Sequence, residues 1–531
     1  MGDSVSSLPP RRLPALFVLP LLFAAVALAF RHLSGPHWIW HVVDASYFYL
    51  FDALNLANLT WPGHPYHPGT PVQVMGALVL RVLHPTLAGP ELVAAVLDDP
   101  EGHLTALGNA LIAVQAVALL VAGLIGLVAT RSLFLALVVQ TGPFLSMVIL
   151  KNAYHVKPEP MLVAVMALFT ALALLALRPG ALEGTGRTRF AVAFGILAGF
   201  GVATKLTAAP VFLAPLFLLG TIRSVLVYGI VSAMALALFL LPAAGSLHLF
   251  ADYVAMIAHS SGPYGTGAAR IIDTEAYPKA LLKILKRPTA FLPIVIAAAV
   301  LATSLLRRCG PLGAEARMLA GILLACLVEA LFVAKQPTAN YMIPAYMLLP
   351  LSIVLAWRFF AGSGIGGPGF RARAGRYAMV GIVLALVPQA WAVAGQGHEL
   401  LRLRDRALAR DDGEFDRCAR VYFFPASAPS FALNLGNWWT GSRFGKAVAG
   451  RVPANQFWFE QNTRDLRDAE GSRDIAEIAA THPCLVLRGG HKGPMLTYLA
   501  EKLPDLKLDS ACSTPDEFVF STAGVCSGDP R

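Results

Sequence analysis

Two acids stand where a chain made mostly of apolar runs leaves those runs. Asp44 lies in WHVVDASYFYL and Glu159 in KNAYHVKPEP, between Pro158 and Pro160. Cations and a phenol fall in comparable places: His67 in HPYHPGTP, Lys157 in KPE, Lys205 in GVATKLTAAP, and Lys335 and Tyr341 in AKQPTANYMIPAYMLLP. A carboxylate at a membrane edge can take a proton from a hydroxyl group. Lysine and histidine at the same depth can hold a departing phosphate. Asp44 and Glu159, with His64, are also the candidate ligands for a divalent cation. Each residue has a plainer reading. Asp44 occupies an N-cap position before ASYFYLFDALNLANL. Asp52, two turns on, reads as a solvated or capping carboxylate. Glu159 suits the first turn of a helix, where the dipole favours an acid. The lysines are able to snorkel from helix ends.

The elements that must position these groups are membrane helices. Of 531 residues, 56% are hydrophobic and 14% charged, with a mean hydropathy of +0.61. A soluble chain carries about a quarter charged residues. Eleven spans are expected, near 14–30, 106–130, 132–150, 160–178, 190–204, 207–221, 225–243, 289–306, 315–334, 340–357 and 377–395. Residues 1–395 hold 25 of the 42 Lys and Arg but 14 of the 32 Asp and Glu. With eleven spans the arginine clusters (Arg11 and Arg12, Arg131, Arg178 to Arg189, Arg223, Arg307 to Arg317, Arg358 to Arg376) fall on one side. That puts the N-terminus inside and the C-terminus outside. The basic start and small residues of RRLPALFVLPLLFAAVALAF also fit a cleaved signal peptide. Three long segments then lie outside: 31–105, 244–288 and the tail from 396. In the second, EAYPKALLKILKRP reads as an amphipathic basic helix at the interface. Glu329, inside the ninth span, needs a partner. The basic surplus belongs to the loops, and no nucleic-acid motif accompanies it.

The order of these motifs resembles the GT-C superfamily of polytopic glycosyltransferases that use polyprenyl-phosphate sugars, such as protein O-mannosyltransferases and lipid A aminoarabinose transferases. The parts that carry it are the acid after the first span (DASYF), the HPGTP turn, KPE before the fourth span, GILAGFGVATK, and KQPTANYMIPAYMLLP. Gly69 stands where a second proline is usual, and Tyr66 precedes His67 in place of an acid. The resemblance covers about residues 1–360 and implies a GT-C-like transmembrane catalytic domain over 1–395. It implies Asp44 as catalytic carboxylate and Glu159 as the second acid. It also implies His67 and Lys335 as lipid-phosphate contacts, with Lys157, Lys205 and Tyr341 as further candidates. The partners implied are a polyprenyl-phosphate-linked sugar, a hydroxyl-bearing acceptor and the bilayer of a bacterial inner or plasma membrane. A transporter or flippase of a lipid-linked saccharide is the alternative. It calls for polar residues along a path through the membrane, whereas the span centres are apolar apart from Glu329.

Residues 396–531 change character and read as a small extracytoplasmic α/β domain. CARVYFF, CLVLRGG and DEFVFST read as strands; GSRDIAEIAATH and GPMLTYLAEKLP read as helices. Four of the six cysteines lie here. Two disulfides are expected in such a compartment. Cys418–Cys484 is favoured because each residue opens a strand, and Cys512–Cys526 because they flank the last one. Trp438 and Trp439, near Arg443, suit either core packing or stacking on a sugar.

Overall fold

The computed structural model describes residues 13–262, 265, 267–306, 312–362, 368–409, 415–461, 463–510 and 513–524. Among these, seven helices are long and apolar enough to cross a membrane: Ala15–Leu33, Pro100–Thr130, Pro158–Ala176, Ile222–His259, Pro288–Leu306, Ala314–Ala334 and Ala339–Gly362. They coincide with seven of the eleven expected spans. The other four differ for local reasons. The run over 132–150 breaks into Leu133–Gln140, a 3-10 turn Gly142–Leu145 and Met147–Asn152. Pro143 has no N–H to continue the first helix. The run over 207–221 is a 3-10 segment Leu206–Leu213 containing Pro210, then Ala214–Leu219 with Pro215 in its first turn. Gly186–Thr204 is a helix of 19 residues, but Arg187, Arg189 and its glycines lower its hydropathy. The last expected span lies within the long helix Pro368–Leu408.

The chain divides into two compact units. The first takes in residues up to Phe30, Pro65–Val72 and Asn109–Gln396. The second takes in Arg31–His64, Gln73–Gly108 and the chain from Gly397. Within the first unit, Leu247–His259 follows Ile222–Leu240 through a 3-10 link. The expected outer segment 244–288 is therefore helical at its start. Its basic stretch forms Ala276–Leu285, which buries Ala280 and Ile284 and exposes Leu282.

The second unit is built on a seven-stranded sheet. Its strands are β1 Ala419–Phe423, β2 Gln456–Glu460, β3 Asp465–Arg467, β4 Ser472–Arg473, β5 Leu485–Gly489, β6 Asp509–Ser510 and β7 Phe518–Ser521, in the order β4-β3-β2-β1-β5-β7-β6. The three expected strands and two expected helices are present; β2 and the helix Pro429–Trp439 are additional. Alternation along the strands sorts the two faces. Val421, Phe423, Phe457, Phe459 and Leu487 pack with Ile475, Met495 and Leu499 of the helices Ile475–Thr481 and Lys492–Lys502. Tyr422 and Trp458 point the other way, against Phe431 and Trp438 of Pro429–Trp439. That helix also meets Trp40–Ala57. A Cβ on Gly436 would lie 2.7 Å from the Phe51 ring, so only glycine fits there.

β1 and β5 run parallel, with Ala419 opposite Leu485. The residues just before them, Cys418 and Cys484, face each other with Cα atoms 4.6 Å apart and form a disulfide. Cys512, Cys526 and Cys309 lie outside the described residues, and Cys326 is a buried free thiol. The bridge closes a separation of 66 residues, so Cys484→Ser is expected to cost about 2–5 kcal/mol of stability. Thermal unfolding of parent and variant, each with and without reductant, checks this: reductant should lower the parent's midpoint further than the variant's.

Candidate functional site

The first unit assembles a polar cluster at the ends of its spans. Pro158 opens Pro158–Ala176 at a position where its missing N–H costs nothing, and Lys157 is the N-cap residue. Glu159 therefore falls in the first turn, 2% exposed. The helix Gly186–Thr204 ends at Lys205, whose backbone turns to an extended conformation (φ −161°, ψ 132°). Lys205 Nζ lies 2.6 Å from Glu159 Oε1, and Asn340 Nδ2 donates to the same oxygen at 2.7 Å. The ammonium also sits 4.4 Å from the centroid of the Tyr341 ring, a cation–π arrangement. Glu159 Oε2 is buried and has no hydrogen-bond partner among the described residues.

The HPGTP turn is tied to the same strand of chain. Leu206 N–H donates to the His67 carbonyl at 2.9 Å, and Gly69 N–H to the Thr204 carbonyl at 3.2 Å. The His67–Pro68 bond is cis, and Gly69 has φ +77°. Proline is locked near −65°, which accounts for a glycine where the resemblance calls for a second proline. The His67 ring lies 6.0 Å from that of Tyr253, edge to face, on Leu247–His259. Lys335 reaches the same helix, donating to the Ala258 carbonyl at 2.8 Å. So Glu159, Lys205 and Tyr341 converge directly, His67 joins through its backbone, and Lys335 is engaged with Leu247–His259. Glu329 is fully buried; one oxygen accepts from the Ala345 N–H at 3.3 Å, where the helix is interrupted.

Asp44 belongs to the second unit and lies at a break between two helices. The first begins at Trp40 behind Ile39, and the break falls at Asp44 (φ −66°, ψ 126°) and Ala45 (φ 71°, ψ −34°). Asp44 is exposed. A non-glycine residue with such a φ costs on the order of 1–3 kcal/mol, and strain of this kind collects at functional positions. The chain on either side is held by one residue, Glu101, that sequence reasoning missed. Glu101 accepts from the His37 N–H at 2.7 Å and the Tyr47 hydroxyl at 2.8 Å, and lies 3.0 Å from His37 Nδ1. It is 64 residues from His37, and nothing local marks the pairing.

Asp52 is also not a solvated carboxylate. It is fully buried and accepts from the N–H groups of Gly63 (2.7 Å) and His64 (3.0 Å), and from Gln73 (2.9 Å) and Asn55 (3.2 Å). It thereby holds the loop that carries His64. The His64 ring packs 4.9 Å from Phe48 and 6.0 Å from Trp439. Among the described residues no three His, Cys, Asp or Glu side chains gather as a metal set. Burial pushes the Asp52 carboxyl up to about 7, against the pull of the bonds from Gly63, Asn55 and His64. Folding thus favours the protonated form, so its contribution to stability is full below about pH 4 and is lost as pH rises through 7. The melting midpoint of the parent should fall between pH 5 and pH 8 by more than that of Asp52→Asn. Equal slopes would remove Asp52 as the source.

Fold and site together define a polytopic helical membrane protein with an α/β sheet domain in its C-terminal part. No family model matches the chain, and no curated protein matches it. Among solved structures, the crystal structure of ArnT from Cupriavidus metallidurans bound to undecaprenyl phosphate aligns with 94% of this chain and 97% of that chain, at 12% sequence identity and a TM-score of 0.44.

Proposed function

We propose that the protein is a GT-C-type glycosyltransferase that moves a sugar from a polyprenyl-phosphate donor to a hydroxyl group at the outer face of a bacterial plasma membrane. The observation that carries this reading is the buried Glu159–Lys205 pair with Asn340 and Tyr341. Charged groups buried at span ends are costly in an apolar setting and mark function by default, and this cluster draws on three separate segments. In the proposed reaction Asp44 takes the acceptor proton. The acceptor oxygen bonds to the anomeric carbon, and the bond from that carbon to the phosphate oxygen breaks. The polyprenyl phosphate leaves with the electron pair, and the configuration inverts. His67, Lys157 and Lys335 are the cations assigned to the phosphate. Lys205, already neutralised by Glu159, fixes the position of the Tyr341 and HPGTP segments. Incubating purified protein with labelled polyprenyl-phosphate sugars and hydroxyl acceptors tests the reading. Turnover that yields free polyprenyl phosphate supports it. Vectorial movement of intact donor across a vesicle membrane without cleavage would favour the flippase reading.

A further inference from the structure

The second unit holds a cleft of about 780 Å³ that neither Asp44 nor the span-end cluster uses. Its walls come from the end of Trp40–Ala57, the helix Gly89–Asp98, the helix Pro429–Trp439 and the turns around 443–447 and 467–471. Trp438 lies on it, with the Arg467 guanidinium 4.0 Å from its ring centroid. Asn434 and Asn55 also line it. They are 3% and 0% exposed, and the Oδ1 of each has no hydrogen-bond partner among the described residues. The Asn55 amide cannot simply be turned round, because its Nδ2 donates to both Asp52 Oδ1 and the Thr440 carbonyl, at 3.2 Å each. Two buried amide oxygens on residues that line the cleft are therefore without a donor among the described residues, and each such group left unmet is destabilising.

Charge adds a second requirement. Four cations line the cleft, Arg443, Lys446, Arg451 and Arg467, against two acids, Asp468 and Glu470. Arg473 reaches both acids, at 2.7 Å and 3.5 Å, and cancels one of their two charges. Arg451 is paired with Asp98 and Arg467 with Asp465. Arg443 donates to the Trp61 carbonyl and acts on the Asp52 carboxyl without an ion-pair contact to it, and Lys446 makes no ion pair among the described residues. A matching ligand supplies hydroxyl donors to the asparagines, an apolar ring face to the indole and an anionic group to Arg443 and Lys446.

We infer that this cleft binds an acidic saccharide, a sugar bearing a carboxylate or a phosphate, through residues that the proposed chemistry does not use. Isothermal titration of the full chain, in a detergent without a sugar headgroup, tests it with four probes: trigalacturonate, glucose 6-phosphate, maltotriose and inorganic phosphate. At least one acidic sugar should bind saturably, about tenfold or more tighter than both maltotriose and inorganic phosphate, the scale of one charge-assisted hydrogen bond. Lys446→Glu, an exposed change, should weaken that binding at least about tenfold. Asn434→Leu should abolish it while leaving the melting midpoint unchanged or higher, since its carbonyl has no partner to lose. Failure of all four probes to bind overturns the inference. So does maltotriose or inorganic phosphate binding as tightly as the acidic sugars, or binding indifferent to Lys446→Glu. None of these readouts involves transfer, so they stand or fall apart from the proposed reaction.

Discussion

Asp44→Asn is expected to lower sugar transfer from polyprenyl phosphate by at least about a hundredfold, the usual scale for removing a general base. Asparagine has the same shape and tolerates unusual backbone angles. The break at Asp44 and Ala45 should therefore survive, as should the clasp of His37 and Tyr47 on Glu101. What changes is the ability to accept a proton. The loss should appear in kcat/KM and in single-turnover rates, with donor binding within a few-fold of the parent. Glu101→Gln makes a useful contrast. It weakens the hydrogen bonds that hold the chain on both sides of residue 44, so it should reduce the rate by less than Asp44→Asn does. Transfer by Asp44→Asn at the parental rate would take Asp44 out of the mechanism.

The second large effect concerns the buried pair. Either Glu159→Gln or Lys205→Met alone should destabilise the first unit by about 3–5 kcal/mol, because each leaves one charge buried without its counter-ion. The double variant should recover most of that loss, since two apolar or neutral groups no longer pay for desolvation. Unfolding midpoints of the four proteins form a double-mutant cycle, and the coupling should be large and favourable. Activity separates the roles. If Lys205 and Glu159 serve the site, the double variant regains stability but not turnover. A double variant as active as the parent would make the pair purely structural, and singles as stable as the parent would mean that it is not buried in the membrane protein.

Much of the architecture was legible because it rests on local composition. Apolar runs of helical length locate seven spans, since such a run cannot be left in water. Pro158 and Glu159 predict a helix start without reference to anything distant. The Cys418–Cys484 bridge was legible for a related reason: each cysteine opens a short apolar strand, and adjacent parallel strands bring their first residues together. The runs over 132–150 and 207–221 were misjudged because hydropathy does not register a proline's missing N–H. Pro143, Pro210 and Pro215 break the helices while leaving the segments apolar.

The candidate site was legible in its parts and not in its joints. Its acids and bases could be named from type and position, but Lys205 and Glu159 are 46 residues apart and Asn340 a further 181 from Glu159. Asp52 looked solvated because its donors, Gly63, His64 and Gln73, come from a loop and another helix. The sequence by itself determined where the chain is apolar, where helices start and stop, and which side chains carry charge, since these depend on neighbours within a turn or two. Only the tertiary structure decided that Lys335 turns to the Ala258 carbonyl, that Glu101 clasps the chain around Asp44, and that segments 31–64 and 73–108 pack with the tail. Those outcomes are set by which distant backbone and side-chain groups satisfy one another once water is excluded, and no short-range pattern encodes that choice.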